Sequence, residues 1–107
     1  MELRERQQQV AKFVNEHDLD RQSMVWLLDL VSEVGELSNE LLQDSEYGER
    51  PLHAGREWME ELGDVLFSLT CLANSSGVDL DDALERALAK YQRRIDATGD
   101  PGSGPPR

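Results

Sequence analysis

The segment EELGDVLFSLTCLA, residues 60–73, decides the fold. From Val65 to Ala73 it is apolar almost all round, with only Ser68 and Thr70 interrupting. A helix that is apolar on every side belongs at the centre of a packed structure. Glu61 and Asp64 lead directly into that run. Residues three apart project from one helical face, so both carboxylates point the same way. Charges beside a buried run require partners or a metal.

Outward from this segment the chain reads as helix throughout. The central helix extends from near Arg56 to Ser76, with Gly77 as its natural stop. Downstream, Asp79 caps a fourth helix, and Asp82 three residues on resembles the second arm of a capping box. That helix carries Ala83, Leu84, Ala87, Leu88, Tyr91 and Ile95 and stops at Gly99. Upstream lies a breaker-rich stretch, Ser45 to Gly55. Before it, a second helix capped by Asp18 and Asp20 runs to about Gln43, with Leu27, Leu30, Val31, Val34, Leu37 and Leu41 as its apolar stripe. A first helix spans about Glu2 to Glu16. Period-two strand patterns are absent. The expectation is an all-α four-helix bundle forming one domain over 1–98, with a disordered tail over 99–107.

The second helix contains SEVGEL, residues 32–37, and so a second acidic pair, Glu33 with Glu36. Packed side by side, the two helices bring four carboxylates together. At ~4 Å each pair of like charges costs about 4 kcal/mol at an intermediate dielectric. Cations must neutralise them, or some acids must stay protonated. Mg²⁺ takes oxygen ligands and keeps positions open for water and phosphate, and Mn²⁺ is an alternative. A glycine sits inside each pair, Gly35 and Gly63, although glycine costs about 1 kcal/mol in a helix relative to alanine. Close approach of backbone, ligand or neighbouring helix is its use there. Asp29 and Glu40 extend the first acidic stripe and read as an ordinary polar face.

Composition narrows the function classes. The chain has 22 acidic residues against 11 basic ones, a net charge of −11. Such a chain repels nucleic-acid backbones and anionic membranes. Lysine is nearly avoided, with only Lys12 and Lys90, and this halophilic composition suits solubility at high salt. The single cysteine, Cys71, permits no intrachain disulfide, and with no signal-like or membrane-spanning run a cytoplasmic address fits. A domain of 107 residues buries a modest core, so oligomerisation is expected.

SEVGELSNEL and EELGDVLFSLTCLA resemble the two signature segments of MazG-like nucleoside triphosphate pyrophosphohydrolases: Glu-x-x-Glu, a variable gap, then Glu-x-x-Asp. Here 24 residues separate Glu36 from Glu61. GVDLDDALERALAKYQRR resembles the family's fourth helix, whose terminal lysine and arginine face the phosphates. Lys90 and Arg94 match them. The resemblance covers about residues 20 to 96. It implies a helical bundle assembled as a homodimer or homotetramer, and Mg²⁺-dependent cleavage between the α- and β-phosphates of a nucleoside triphosphate. It assigns Glu33, Glu36, Glu61 and Asp64 as metal ligands. Ser32 and Leu88 depart from the family pattern, where a glutamate and an asparagine are common, and they bear on substrate.

On this reading water attacks phosphorus and a carboxylate takes its proton, Glu33 and Glu36 being the better placed if Glu61 and Asp64 hold metal. Lys90 and Arg94, one turn apart, hold the leaving pyrophosphate, or form an ordinary basic helix end. Trp26 falls on nearly the face of Glu33 and either stacks on a nucleobase or packs in the core. Trp58 reads as core or interface packing. His17 and His53 lack metal-ligand spacing and read as surface residues. Two other functions stay open: a phosphoribosyl-ATP pyrophosphohydrolase, and a non-enzymatic interaction protein whose acidic faces are solvated.

Overall fold

A computed structural model describes residues 2–102. It has four helices: α1 (Leu3–Glu16), α2 (Ser23–Asp44), α3 (Arg56–Ser75) and α4 (Leu80–Thr98). No strand occurs among the described residues, so the architecture is all-α as expected. Part of the expected tail, 103–107, lies outside them. Gly99 to Gly102 are described, and there Asp100 Oδ1 accepts from the Gly102 amide at 2.7 Å. No described helix is long and apolar enough to cross a membrane.

The helix ends follow local chemistry. Asp79 caps α4 by accepting from the Asp81 and Asp82 amides at 2.8 and 3.2 Å. The expected second arm of a capping box is not formed. Asp82 instead accepts from Arg4 Nη2 on α1 at 3.1 Å, which satisfies its charge better than a single backbone amide would. Gly99 ends α4 in the left-handed conformation, φ 77°. Asp18 and Asp20 do not cap α2, which begins at Ser23 behind Gln22. Asp18 takes a left-handed turn, φ 54°, that reverses the chain after α1, and Arg21 donates to the carbonyls of both aspartates.

α2 and α3 pair antiparallel and make the most extensive contact; α1 lies on α3, and α4 packs chiefly on α1. The core is small: Val14, Trp26 and Cys71, with Val10, Leu19, Phe67 and Leu72 around it. A buried polar clasp ties α1 to the α3–α4 turn. Gln7 donates to Asn74 Oδ1 and the Val78 carbonyl and accepts from the Leu80 amide, while Asn74 donates to the Gln7 carbonyl.

The burial pattern departs from the expected one in an informative way. On α2 the face against α3 carries Trp26, Asp29, Leu30, Glu33, Leu37 and Glu40, all buried or half-buried. The opposite face is apolar and open, with Leu28 at 64 % and Val31 at 62 % exposure. On α3 the residues most buried are the small ones, Ser68, Thr70, Cys71 and Ala73, while Leu62, Leu66 and Leu69 face outward. α4 buries nothing, and Leu84, Leu88, Tyr91 and Ile95 lie open at helical spacing. The radius of gyration, 17.0 Å, exceeds the about 13 Å of a compact chain of this length.

Candidate metal centre

The inward acidic face of α2 meets its counterpart on α3 halfway along the pair. Glu33, Glu61 and Asp64 each offer a carboxylate oxygen, and these oxygens lie within 4.8 Å of one another. Glu33 Oε2 and Glu61 Oε2 are shut off from solvent and have no hydrogen-bond donor among the described residues. Burial of an unpartnered carboxylate oxygen is costly, and no lysine or arginine side chain forms an ion pair with these acids among the described residues. Loss of hydration raises the Glu33 pKa first, followed by the charge of Glu36, a hydrogen bond shared with Glu36, and the charges of Asp64 and Asp29. Glu61 is raised by loss of hydration, then by Glu36, Asp64, Glu40 and Glu60. An all-oxygen donor set of this kind fits a hard divalent cation such as Mg²⁺ or Mn²⁺. The two donorless oxygens are the atoms such an ion would satisfy.

Of the four acids picked out in the sequence, Glu33, Glu61 and Asp64 form the tightest group. Glu36 is exposed and lies at its edge, near enough to act on both Glu33 and Glu61. Gly35 and Gly63 have nothing within 4 Å of where a Cβ would sit, so within one chain no close approach accounts for them.

The basic residues are elsewhere. Lys90 is exposed, with its ammonium 5.0 Å from the Tyr91 ring, and Arg94 donates to the Pro101 carbonyl at 3.2 Å. Trp26 is in the core at 9 % exposure, edge-on to Phe67 with ring centroids 6.2 Å apart. One edge of it lines a cleft of about 210 Å³ with Leu19, Arg21, Val25 and Asp29. Trp58 is half-buried. His17 is exposed and stacks on Phe13 at 4.4 Å, and His53 is exposed. Cys71 is buried, which pushes its thiol up to about 11.

Sequence reasoning missed Asp29. It is half-buried rather than part of a solvated face, and it accepts a 2.6 Å hydrogen bond from Ser68 Oγ on α3. Its spacing, four residues before Glu33, was the available signal. Glu40, also read as solvated, is half-buried, and its charge helps to raise the Glu61 pKa.

The chain is similar to known proteins in both sequence and fold. Residues 21–98 match the family model of the MazG nucleotide pyrophosphohydrolase domain. The uncharacterized protein YpjD of Bacillus subtilis (strain 168) is 43 % identical over 68 residues, which span 61 % of this chain and 60 % of that protein. The match thus covers less than two thirds of the relative. The crystal structure of Bacillus subtilis YpjD superposes with a TM-score of 0.71 at 33 % identity, covering 85 % of this chain and 93 % of that one. The crystal structure of a Bacillus-conserved MazG protein, described as a nucleotide pyrophosphohydrolase, gives 0.70 at 28 % identity, covering 85 % and 89 %.

Proposed function

The chain belongs to the MazG nucleotide pyrophosphohydrolase family, and we propose that it hydrolyses nucleoside triphosphates to the monophosphate and pyrophosphate in a Mg²⁺-dependent reaction. The observation that carries this reading is the convergence of Glu33, Glu61 and Asp64, with two buried carboxylate oxygens that no described residue satisfies. An interaction protein with solvated acidic faces has no use for such oxygens.

Glu33, Glu61 and Asp64 would hold the ion, with Glu36 able to join them from the edge. The bound cation supplies neutralisation of the phosphate charges and polarisation of the scissile anhydride. Glu36 or Glu33 accepts the proton of the attacking water. Lys90 and Arg94 hold the triphosphate and then the departing pyrophosphate. The nucleoside lies toward the Trp26 cleft, whose wall includes Asp29, one turn from Glu33.

The active form is a homodimer or homotetramer. The open apolar faces of α2 and α4 and the extended single chain support this reading. A second copy covers those faces and brings its Lys90 and Arg94 to the acidic centre of the first. The reaction takes place inside the cell.

A panel of standard and damaged nucleoside triphosphates, together with phosphoribosyl-ATP, tests the reading by pyrophosphate release with Mg²⁺ at low and high salt. Equimolar monophosphate and pyrophosphate from the nucleoside triphosphates is the expected result. Turnover of phosphoribosyl-ATP alone would move the chain to the neighbouring activity, and no turnover of any substrate would overturn the enzyme reading.

A further inference from the structure

We infer that Asp29 and Ser68 are a positioning pair that sets the spacing of α2 and α3 at the acidic centre; this rests on the metal reading above. Ser68 is the most deeply buried side chain described, at 1 % exposure, and its hydroxyl donates to Asp29 Oδ2 at 2.6 Å. The pair occupies the next rung of the same helix interface. Asp29 precedes Glu33 by one turn on α2, and Ser68 follows Asp64 by one turn on α3. Four residues of helix rise about 6 Å, so the bond lies just beyond the carboxylates.

The centre itself has no comparable tie. Glu33, Glu61 and Asp64 crowd carboxylate oxygens within 4.8 Å of one another, and Glu33 and Glu61 each have an oxygen without a donor among the described residues. Repulsion there drives the helices apart, and a short charge-assisted bond one turn away holds them together. Serine and aspartate are short side chains with few rotatable bonds. Their bond therefore fixes both the separation of the helices and their axial register. Mg²⁺ demands near-ideal octahedral geometry, so its affinity depends on that spacing. Asp29 also forms part of the Trp26 cleft wall, so the same bond sets the cleft against the acids.

The test is Mn²⁺ affinity, measured by calorimetry without nucleotide at a temperature where circular dichroism shows each variant folded. Ser68→Ala is expected to bind Mn²⁺ about tenfold more weakly than wild type, the low end of the range for residues that orient metal ligands. In a double-mutant cycle, Ser68→Ala has no further effect in an Asp29→Ala background but keeps its effect with Asp29→Asn, which retains the acceptor. Ser68→Cys, close in size with a weak donor, falls between wild type and Ser68→Ala and serves if the alanine variant does not fold. Unchanged Mn²⁺ affinity in folded Ser68→Ala, or an equal effect in the Asp29→Ala background, overturns the pair while leaving the metal site intact. Wild type that does not bind Mn²⁺ overturns the metal reading and the pair with it.

Discussion

Glu33 on α2 and Glu61 on α3 bring carboxylate oxygens within 4.8 Å across a helix interface, and each keeps one oxygen that is closed off from solvent and has no hydrogen-bond partner among the described residues. The helix pair is thus built around an unfavourable contact. Glu61→Gln removes one of the repelling charges. Without metal it should raise the melting temperature by a few degrees, and with Mg²⁺ the order should reverse because only wild type gains from the ion. Thermal melts in EDTA and in excess Mg²⁺ check both directions.

The pH dependence follows from the same contact. Burial and neighbouring acids raise the pKa of Glu33 and Glu61 in the folded state. Between the ordinary carboxylate value and the raised one, the folded chain binds more protons than the unfolded chain, so these two groups lose stability as pH rises. Asp79 acts oppositely. Its hydrogen bond from Arg4 holds it below the usual range, so its contribution is present above that range and is lost as pH falls through the lowered value. The metal-free protein should therefore melt highest in mildly acidic solution and lower at neutral pH. Saturating Mg²⁺ should flatten or invert that slope. Melts at a series of pH values, with EDTA and with Mg²⁺, give the comparison.

The acidic pairs and the four helices were legible because both rest on local spacing. Glu33 and Glu36, and Glu61 and Asp64, share a face whatever surrounds them. What local spacing cannot give is which face turns inward. The leucine and valine stripe of α2 was the natural core face, yet within one chain Leu27, Val31, Val34 and Leu41 of it point out, and only Leu30 and Leu37 share the inward face with Asp29, Glu33 and Glu40. A hydrophobic pattern marks a surface to be covered without saying by what. Asp29 was misjudged for that reason. Likewise, Asp82 looked like a capping-box residue because Arg4, 78 positions away, is invisible to local reading.

The uncovered stripes make a prediction about assembly. Wild type should sediment as a dimer or larger, and Leu28→Asp or Leu88→Asp should shift it toward monomer. Analytical ultracentrifugation across a concentration series reads the change. Monomeric wild type at micromolar concentration would contradict the assembly.

Gln7 has a different role. It is 8 % exposed and satisfies three partners that join α1 to the α3–α4 turn. Gln7→Leu leaves the Val78 carbonyl and the Leu80 amide without it. The expected loss of stability is about 2–4 kcal/mol, since each buried group left unsatisfied costs ~1–3 kcal/mol. Urea unfolding measures it, and Mn²⁺ affinity of the folded variant should be unchanged.

Lys90→Ala and Arg94→Ala should leave Mn²⁺ binding intact while weakening nucleotide capture. A tenfold or greater loss in kcat/KM is the expected size, corresponding to about 1.4 kcal/mol or more of transition-state stabilisation. Steady-state kinetics beside calorimetry separates the two roles. Loss of metal binding in either variant would contradict them.

The most direct measurement is product analysis of nucleoside triphosphate turnover by wild type and Asp64→Asn, with Mg²⁺ and with EDTA. Wild type should release pyrophosphate and monophosphate in equal amounts with Mg²⁺ and nothing with EDTA, and Asp64→Asn should lose at least a hundredfold in rate while remaining folded. Turnover by wild type in EDTA, or by Asp64→Asn at the wild-type rate, would contradict a metal–phosphate centre built on Glu33, Glu61 and Asp64.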